Sequence, residues 1–224
     1  MNKKCFIAID GLDGSGKQTQ SVLLCEWLDK MGRDYRYLTF PTYDSENSAL
    51  VSRYLRGDFG DDPDAVNPYI ASSFFAVDRV SSFLLDWKKD YDADRIIVAN
   101  RYTTANAVHQ LSKLPEEEWD GFLEWLFNYE FELLGLPVPT TVIYLCLDPA
   151  VSDRLIENRC LISGASKDIH EKSKAHLQKS YKAARYAAEK LGWITVECAE
   201  NGVMRSIDDI QAELKRILTE KYEL

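Results

Sequence analysis

Residues 5–20 read Cys-Phe-Ile-Ala-Ile-Asp-Gly-Leu-Asp-Gly-Ser-Gly-Lys-Gln-Thr-Gln, an apolar run followed by a glycine-rich turn and a lysine. The apolar run predicts a buried strand, and the pattern after Lys17 predicts a helix. Gly11, Gly14 and Gly16 allow backbone conformations that other residues rarely adopt, so several N–H groups can converge on one anion. The helix N-terminus and the Lys17 ammonium add positive charge there. The stretch therefore predicts a phosphate-binding loop for a nucleotide polyphosphate.

The loop matches the pattern G-x-x-x-x-G-K-[ST] at Gly11, Gly16 and Lys17, and it departs from the pattern at the last position. Gln18 replaces the expected hydroxyl residue, and Thr19 follows one residue late. Because that hydroxyl normally binds Mg²⁺, the departure concerns the metal arrangement more than the phosphate site.

The composition excludes several classes of protein. Lys and Arg number 27 against 36 Asp and Glu, and the net charge of −9 argues against general affinity for nucleic acid or anionic membrane. The five cysteines are scattered without C-x-x-C spacing, which indicates buried thiols rather than disulfides or zinc ligands. The sequence starts without a signal-like segment and has no apolar stretch of membrane-spanning length, so we expect a cytoplasmic protein.

Apolar runs and helical patterns alternate along the 224 residues. Four further runs predict strands, at 35–40, 95–99, 141–147 and 193–196. Helical patterns occupy 17–31, 45–56, 67–89, 102–112, 117–133, 149–159, 171–191 and 206–221. This alternation predicts an α/β fold, a parallel sheet covered by helices on both faces, with ligands at the carboxyl ends of the strands. No linker divides the chain, so 1–224 is predicted to be one domain, and the irregular stretch 160–166 is either a lid or a surface connection.

Several separated motifs narrow the function. They are Phe-Pro-Thr-Tyr at 40–43, Phe-Phe-Ala-Val-Asp-Arg at 74–79, Asn-Arg-Tyr with the helix after it at 100–110, and Lys-Asp-Ile-His-Glu at 167–171. With the phosphate loop, and in this order, they resemble the thymidylate kinase family, whose members transfer the γ-phosphoryl group of ATP to dTMP. The resemblance implies a three-layer P-loop kinase fold with five parallel strands and a short lid at about 154–170. It also implies ATP as co-substrate, Mg²⁺ as cofactor and a homodimer.

The resemblance assigns roles on the acceptor side. Phe75 matches the residue that stacks on the pyrimidine. A plain core role is expected for one of Phe74 and Phe75, and it is the alternative for Phe75. Arg79 matches the arginine that bonds the base, and Arg101 matches the one that binds the acceptor monophosphate, a task suited to a bidentate guanidinium. His109 stands where a tyrosine often packs against the sugar, with ordinary packing as the alternative. Further matches that line the acceptor site are Phe40, Tyr43, Asn106 and, in support, Gln110.

On the donor side, the resemblance implies that ATP binds to Gly11, Asp13, Gly14, Ser15, Gly16, Lys17, Gln18 and Thr19. Lys17, Asp13 and Arg101 are the expected catalytic residues, and Asp13 also matches a carboxylate near the acceptor phosphate and its metal. Since phosphoryl transfer depends mostly on positioning and charge neutralisation, no covalent nucleophile is required. Gly14 stands where one branch of the family has an arginine. The chain therefore resembles the branch with a lid arginine, for which Arg159 is preferred over Arg154 and Lys167.

Other departures leave alternatives open. Asn100 replaces the usual Asp of the D-R-Y motif, which commonly helps to hold Mg²⁺, while Thr42 replaces an arginine and Ala105 a serine. The alternatives to dTMP phosphorylation are a kinase of another deoxynucleotide or of a deoxynucleoside, and a nucleotide-binding protein with little activity. The stretch from Glu116 through Tyr129 predicts a two-sided helix, with aromatic side chains inward and carboxylates in solvent, and a subunit contact is the alternative.

Overall fold

A parallel sheet of five strands forms the centre of the computed structural model, which describes residues 4–43, 45–163 and 174–223. The strands are β1 (Phe6–Gly11), β2 (Tyr35–Thr39), β3 (Ile96–Asn100), β4 (Thr141–Cys146) and β5 (Ile194–Glu197). Their order across the sheet is β2-β3-β1-β4-β5, and every neighbouring pair is parallel. The central strand β1 is buried along its whole length, as its apolar sequence predicts. The order places the carboxyl ends of β1 and β3, which carry the predicted site residues, side by side.

Helices cover both faces of the sheet. They are α1 (Lys17–Lys30), α2 (Ala49–Arg56), α3 (Pro68–Ser82), α4 (Lys88–Asp92), α5 (Thr104–His109), α6 (Trp119–Phe127), α7 (Pro149–Ser163), α8 (Lys174–Lys190) and α9 (Ile207–Tyr222). On one face, Ile7 and Ile9 pack with Leu24 of α1 and Leu214 of α9. On the other face, Phe6 packs with aromatic residues of the α3–α4 segment and with Tyr102. The predicted α/β fold with five strands is confirmed.

Sequence signals set several helix starts. The Asp148 side chain accepts a hydrogen bond of 2.7 Å from Ala150 N at the start of α7, and Pro149 occupies the first helical position. Asn67 caps α3 in the same way, with its carboxamide oxygen 2.8 Å from Tyr69 N and a proline next to it. These caps satisfy backbone donors that a helix leaves open.

The structure differs from the predicted elements in several places. The predicted helix at 67–89 is α3 and α4 joined by a π-helical segment, Phe83–Trp87, and a second π-helical segment, Asn128–Leu133, follows α6. The predicted helix at 102–112 is shorter, since α5 spans only Thr104–His109, between Arg101 in a left-handed conformation (φ 66°) and a 3-10 turn at Leu111–Lys113. A short hairpin of β6 (Ala199–Glu200) and β7 (Val203–Met204) was not predicted. No helix in the described ranges is long and apolar enough to cross a membrane.

The irregular stretch predicted at 160–166 is helical in its first part, since α7 continues to Ser163. Nothing in residues 160–163 forces the helix to end, and Gly164 is the first residue with low helix propensity after them. The rest of the predicted lid, 164–170, and the Lys-Asp-Ile-His-Glu motif with Lys167 lie outside the described residues.

Candidate active site

The phosphate loop joins the end of β1 to the start of α1. Gly14 and Gly16 have positive φ values of 80° and 82°, and Ser15 N donates to Leu12 O at 3.1 Å, which closes a tight turn. Gly11 tolerates no side chain, because a Cβ there would lie 2.5 Å from Ser15 Oγ and 2.7 Å from Leu145 O. The predicted need for glycine at these three positions therefore has a geometric basis.

Lys17 is held inside the loop that precedes it. Its side chain is 10% exposed, and Nζ donates to Leu12 O at 3.1 Å and to Asp13 Oδ1 at 3.3 Å. Burial, followed by repulsion from Arg101, lowers the pKa of Lys17 to about 8. The positive charge of Lys17 is therefore only partly balanced by the groups around it, and a bound anion would supply the missing negative charge.

Arg101 follows the end of β3 and shares the partner Asp13 with Lys17. Its guanidinium forms an ion pair with the Asp13 carboxylate, and Nη1 lies 3.2 Å from His109 Nε2 and 4.0 Å from Asp10 Oδ1. The backbone of Arg101 is left-handed, a conformation that costs a non-glycine residue roughly 1–3 kcal/mol and that often accompanies function. Asp13 thus bridges two cations, one from each predicted anion site.

One cavity of about 880 Å³ joins the phosphate loop to the acceptor-side motifs. It is lined, among others, by the predicted residues Asp13, Gly14, Gly16, Lys17, Gln18, Thr19, Phe40, Tyr43, Phe75, Arg79, Arg101, Asn106, His109 and Gln110. Gly11 and Ser15 lie buried behind the loop surface. Residues from separate strands and helices therefore meet in one concave site, as the order of the sheet requires.

The comparisons with known proteins agree with this geometry. The sequence profile of the thymidylate kinase family matches residues 9–210. The chain belongs to the thymidylate kinase family. It is 28% identical to the thymidylate kinase of Mycobacterium tuberculosis over 192 residues, which cover 84% of this chain and 87% of that protein. It is 25% identical to the thymidylate kinase of Plasmodium falciparum over 217 residues, 96% and 89% of the two chains.

A third relative, a probable thymidylate kinase of Pyrococcus horikoshii, is 25% identical over 219 residues, 98% of this chain and 97% of that protein. Membership of the family makes the chain a nucleoside monophosphate kinase, a phosphotransferase, and confirms the prediction of ATP-dependent phosphorylation of dTMP to dTDP. The alternative functions are not favoured. The roles of individual residues stay predictions.

Arg79, the predicted base-contacting arginine of this thymidylate kinase-like site, is already paired. Nε and Nη2 donate to the two carboxylate oxygens of Glu130 at 2.7 and 2.5 Å, and Nη1 donates to Tyr102 O at 3.4 Å. Glu130 is fully buried and also accepts from Thr103 Oγ1 at 2.7 Å and from Asn106 Nδ2 at 3.3 Å. Glu130, which directly follows the two-sided stretch and lies inside the predicted helix at 117–133, is therefore a buried carboxylate that the sequence did not single out. The sequence gives no clear signal for this burial, because a helix with one buried acid has the same sequence pattern as a helix whose acids are all exposed.

The other acceptor-side residues differ in their surroundings. Phe75 lies edge-on to Tyr54, with ring centroids 6.1 Å apart, and one side of it lines the cavity. Phe40 is 3% exposed and packs against Tyr102, so most of its ring belongs to the core. Tyr43 is half exposed at the entrance. All three aromatic residues line the cavity.

Gln110 also lines this cavity. The sequence pattern indicated only a supporting role for it, whereas the structure shows it as a buried polar side chain. Its side chain is fully buried, and neither amide atom has a hydrogen-bond partner among the described residues. A buried amide without partners costs free energy, which a hydrogen-bonding ligand would recover. Gln110 is therefore a polar group available to a ligand in the cavity.

The residues present fit a metal that is held mainly through phosphates. Asn100 Oδ1 is buried at the cavity without a hydrogen-bond partner in the described part of the chain, and the Asp13 carboxylate lines the same cavity. No group of three or more His, Cys, Asp or Glu side chains forms a cation site among the described residues. Mg²⁺ commonly needs only one or two carboxylates together with substrate phosphates and water.

The predicted lid cations lie apart from this cavity or outside the described part. Arg154 is exposed, and its guanidinium donates to Ala150 O at 3.2 Å and to Gly202 O at 3.0 Å, on the β6–β7 hairpin. Arg159 belongs to α7, but its side chain lies outside the described residues, as does Lys167.

Sequence reasoning missed two further carboxylates that support the site. Asp10 is fully buried at the end of β1 and accepts from Gly11 N at 2.8 Å and from Thr104 Oγ1 at 2.6 Å. Asp78 accepts from both the backbone N (3.0 Å) and the hydroxyl of Thr42, and burial raises its pKa. Thr42 replaces an arginine of the family, and its hydrogen bonds to Asp78 connect the turn after β2 to α3. The position of Asp10, directly after an apolar strand, was the available signal.

Proposed function

We propose that this chain phosphorylates dTMP with ATP by direct in-line transfer, with Lys17 and Asp13 on the donor side and Arg101 on the acceptor side. The observation that carries the proposal is that Asp13 contacts Lys17 and Arg101 within one cavity. Two phosphates bound to these cations would adjoin each other. Phosphoryl transfer requires this placement more than any covalent chemistry.

The chain's own groups would divide the work as follows. The N–H groups of the loop and the α1 N-terminus surround the triphosphate, and the Lys17 ammonium neutralises its β- and γ-phosphates. The Arg101 guanidinium holds the acceptor phosphate, so that its oxygen points at the γ-phosphorus. Bound phosphates would replace part of the Asp13 ion pairs, because both cations turn toward the stronger anion.

The pyrimidine would stack on Phe75, with the Gln110 amide as a hydrogen-bond partner inside the cavity. Arg79, held by Glu130, would present one edge of its guanidinium to the base, while Asn106 and His109 complete the wall. A rigidly held arginine binds with little further loss of side-chain entropy.

Mg²⁺ is part of the proposal. It would be held by the ATP phosphates, by Asp13 and by water, with Asn100 Oδ1 accepting from a metal-bound water. When bound, the ion would supply positive charge against the charge that develops on the phosphates during transfer. Since Asn100 contributes no charge, we expect weaker metal affinity than an aspartate would give.

We further propose one domain over 1–224 with a lid at about 154–170, in which Arg159 is the cation that assists transfer. The start of α7 supports this, because Ser152 Oγ donates to Asp13 O and joins the helix to the phosphate loop. We also propose a cytoplasmic protein, supported by the cysteines of the described residues, which are free thiols.

A homodimer is the proposed assembly. Ile70, Val77 and Leu84 lie seven residues apart along α3 and the π-helical segment that follows it, and these residues are 52%, 43% and 64% exposed. Seven-residue spacing places them in one line, an apolar stripe of the kind that marks a subunit contact. Leu84→Glu should produce monomers in sedimentation equilibrium, while Lys89→Glu, outside the stripe, should not.

The proposed function is tested with a panel of nucleosides and monophosphates, each with ATP and Mg²⁺, by following ADP and the phosphorylated product. We expect dTMP to give the highest kcat/KM and dTDP to be the product. Preference for another acceptor would overturn the assignment to dTMP. Nucleotide binding without turnover of any acceptor would overturn the enzymatic role.

A further inference from the structure

Four polar side chains form a buried cluster where α5 and the turn after it meet α8. The cluster contains His109, Ser112, His176 and Ser180, each no more than 5% exposed. Ser180 Oγ lies 3.3 Å from His176 Nε2 and 3.2 Å from Ser112 Oγ, and Ser112 Oγ donates to His109 O at 2.9 Å. Buried polar groups cost free energy unless they are bonded, so the arrangement of these four is strongly constrained.

The two imidazoles of this cluster stack on each other. Their ring centroids are 6.0 Å apart and their planes differ by 21°. On its other side, His109 Nε2 lies 3.2 Å from Arg101 Nη1. A guanidinium only donates hydrogen bonds, so His109 Nε2 must accept, and the ring is neutral with its proton on Nδ1. The direction in which the Nε2 lone pair of His109 points toward Arg101 depends on the plane of the His109 ring. The His176 ring stacks against that plane.

We propose that His176 is a positioning residue for acceptor binding, because its ring fixes the His109 imidazole, which in turn fixes the Arg101 guanidinium. The inference rests on the proposed function, in which the anion that Arg101 binds is the dTMP phosphate. Nothing in the family motifs pointed to position 176, which is recognised only because α8 packs against α5.

The charges around the pair are consistent with two neutral rings. Burial, then the Arg101 charge, lowers the pKa of His109 well below its ordinary value, while Lys17 acts in the same direction and Asp13 opposes it. Burial, then Lys113, lowers the pKa of His176 to about 4; Lys179 adds to this, and Asp13 and Asp62 oppose it. A protonated His109 would repel Arg101, so the His176 ring also protects this contact by excluding water.

The first test compares His176→Ala and His176→Phe with the wild type in steady-state kinetics. The alanine variant should raise the KM for dTMP roughly 2- to 30-fold, the range of coupling through packed neighbours, and should change the KM for ATP less than about twofold. The phenylalanine variant keeps an apolar ring against His109 and should restore the KM for dTMP to near the wild-type value. Gln178→Ala, exposed on the same helix, is the matched control.

The pH dependence separates positioning from a general structural defect. As the pH falls from 8 to 6, the ratio of the variant KM to the wild-type KM for dTMP should rise for His176→Ala. In this variant water reaches His109, so its pKa returns toward the ordinary value and the ring becomes protonated beside Arg101. The ratio should stay constant for His176→Phe. Taking the ratio removes the titration of the dTMP phosphate itself, whose second pKa is about 6.

The second test needs no catalysis. The chain has three histidines, so the imidazole signals in an NMR titration of the substrate-free protein can be assigned by substitution. His109 should titrate well below 6.5 in the wild type and in His176→Phe, and closer to 6.5 in His176→Ala. If the alanine variant does not fold, His176→Asn replaces it, since asparagine retains the Ser180 contact without the ring.

An unchanged His109 titration in His176→Ala, or a KM for dTMP equal to that of Gln178→Ala, would overturn the inference while leaving the proposed function intact. A wild type that fails to phosphorylate dTMP would overturn the proposed function instead. In that case the NMR titration still decides whether His176 governs His109.

Discussion

The buried pair of Arg79 and Glu130 allows the sharpest prediction about stability. Glu130→Gln keeps the shape of the side chain and one oxygen to accept hydrogen bonds, but it leaves the Arg79 guanidinium buried without a counter-charge. The side chains are 1% and 0% exposed, so water cannot compensate. Breaking a buried ion pair by removing one partner typically costs about 3–5 kcal/mol, and we expect the free energy of unfolding to fall by about that amount.

The assay is urea denaturation followed by far-UV circular dichroism. Glu132→Gln is the matched control, because it makes the same change of charge two residues away on an exposed side chain and should alter stability by less than about 0.5 kcal/mol. A total stability of about 5–15 kcal/mol makes the expected loss at Glu130 easy to measure. The double variant Arg79→Met with Glu130→Leu should recover much of the loss, since an apolar pair of similar volume needs no counter-charge.

A Glu130→Gln variant that unfolds within about 1 kcal/mol of the Glu132→Gln control would refute this reasoning. It would mean that the Arg79 charge is compensated by other groups, and that the support of the base site does not depend on Glu130.

Three further predictions concern the phosphate sites. The Kd for ATP, measured by titration calorimetry, should change little between pH 7 and 8, where the terminal phosphate of ATP, with a second pKa of about 6, is already ionised. Above pH 8 it should weaken by up to about tenfold per pH unit, because the pKa of Lys17 in the free protein is about 8 and the ammonium form binds phosphate. A flat profile to pH 10 contradicts this. Arg101→Ala should raise the KM for dTMP by roughly 30- to 1,000-fold, because about 2–4 kcal/mol of charge-assisted bonding to the phosphate is lost. Arg154→Ala is the control, since Arg154 is exposed and lies outside the cavity, and it should leave this KM unchanged. Equal effects of the two substitutions would count against Arg101 as the residue that binds the dTMP phosphate. Gly11→Ala should abolish ATP binding or lower the melting temperature, because the new Cβ would lie 2.7 Å from Leu145 O. A variant with normal ATP affinity and a normal melting temperature would contradict this, since it would show that the loop accommodates a side chain at this position.

The sheet and most helices could be predicted from the sequence because their signals are local. Apolar runs of strand length, the Asp148-Pro149 start and the glycine pattern at 11–16 each determine structure within a few residues. The π-helical segments and the β6–β7 hairpin could not be predicted, because no local sequence signal marks the extra residue of a π turn or a hairpin with two-residue strands.

The candidate site divides in the same way. The phosphate loop follows from spacing, and the acceptor side follows from motifs that the sheet order brings together. Glu130 and His176 could not be recognised, since their roles depend on contacts with Arg79 and His109, 51 and 67 residues away in the chain. Long-range partners of this kind leave no periodic pattern in a single sequence.

The central claim is that donor and acceptor phosphates bind beside each other, between Lys17 and Arg101. A crystal structure of the chain with dTMP and a non-hydrolysable ATP analogue tests this most directly. We expect the dTMP phosphate within hydrogen-bond distance of the Arg101 guanidinium, its ring on Phe75, and the terminal phosphate of the analogue against Lys17. Nucleotides bound at separate surfaces, with the two phosphates too far apart for transfer, would contradict the account.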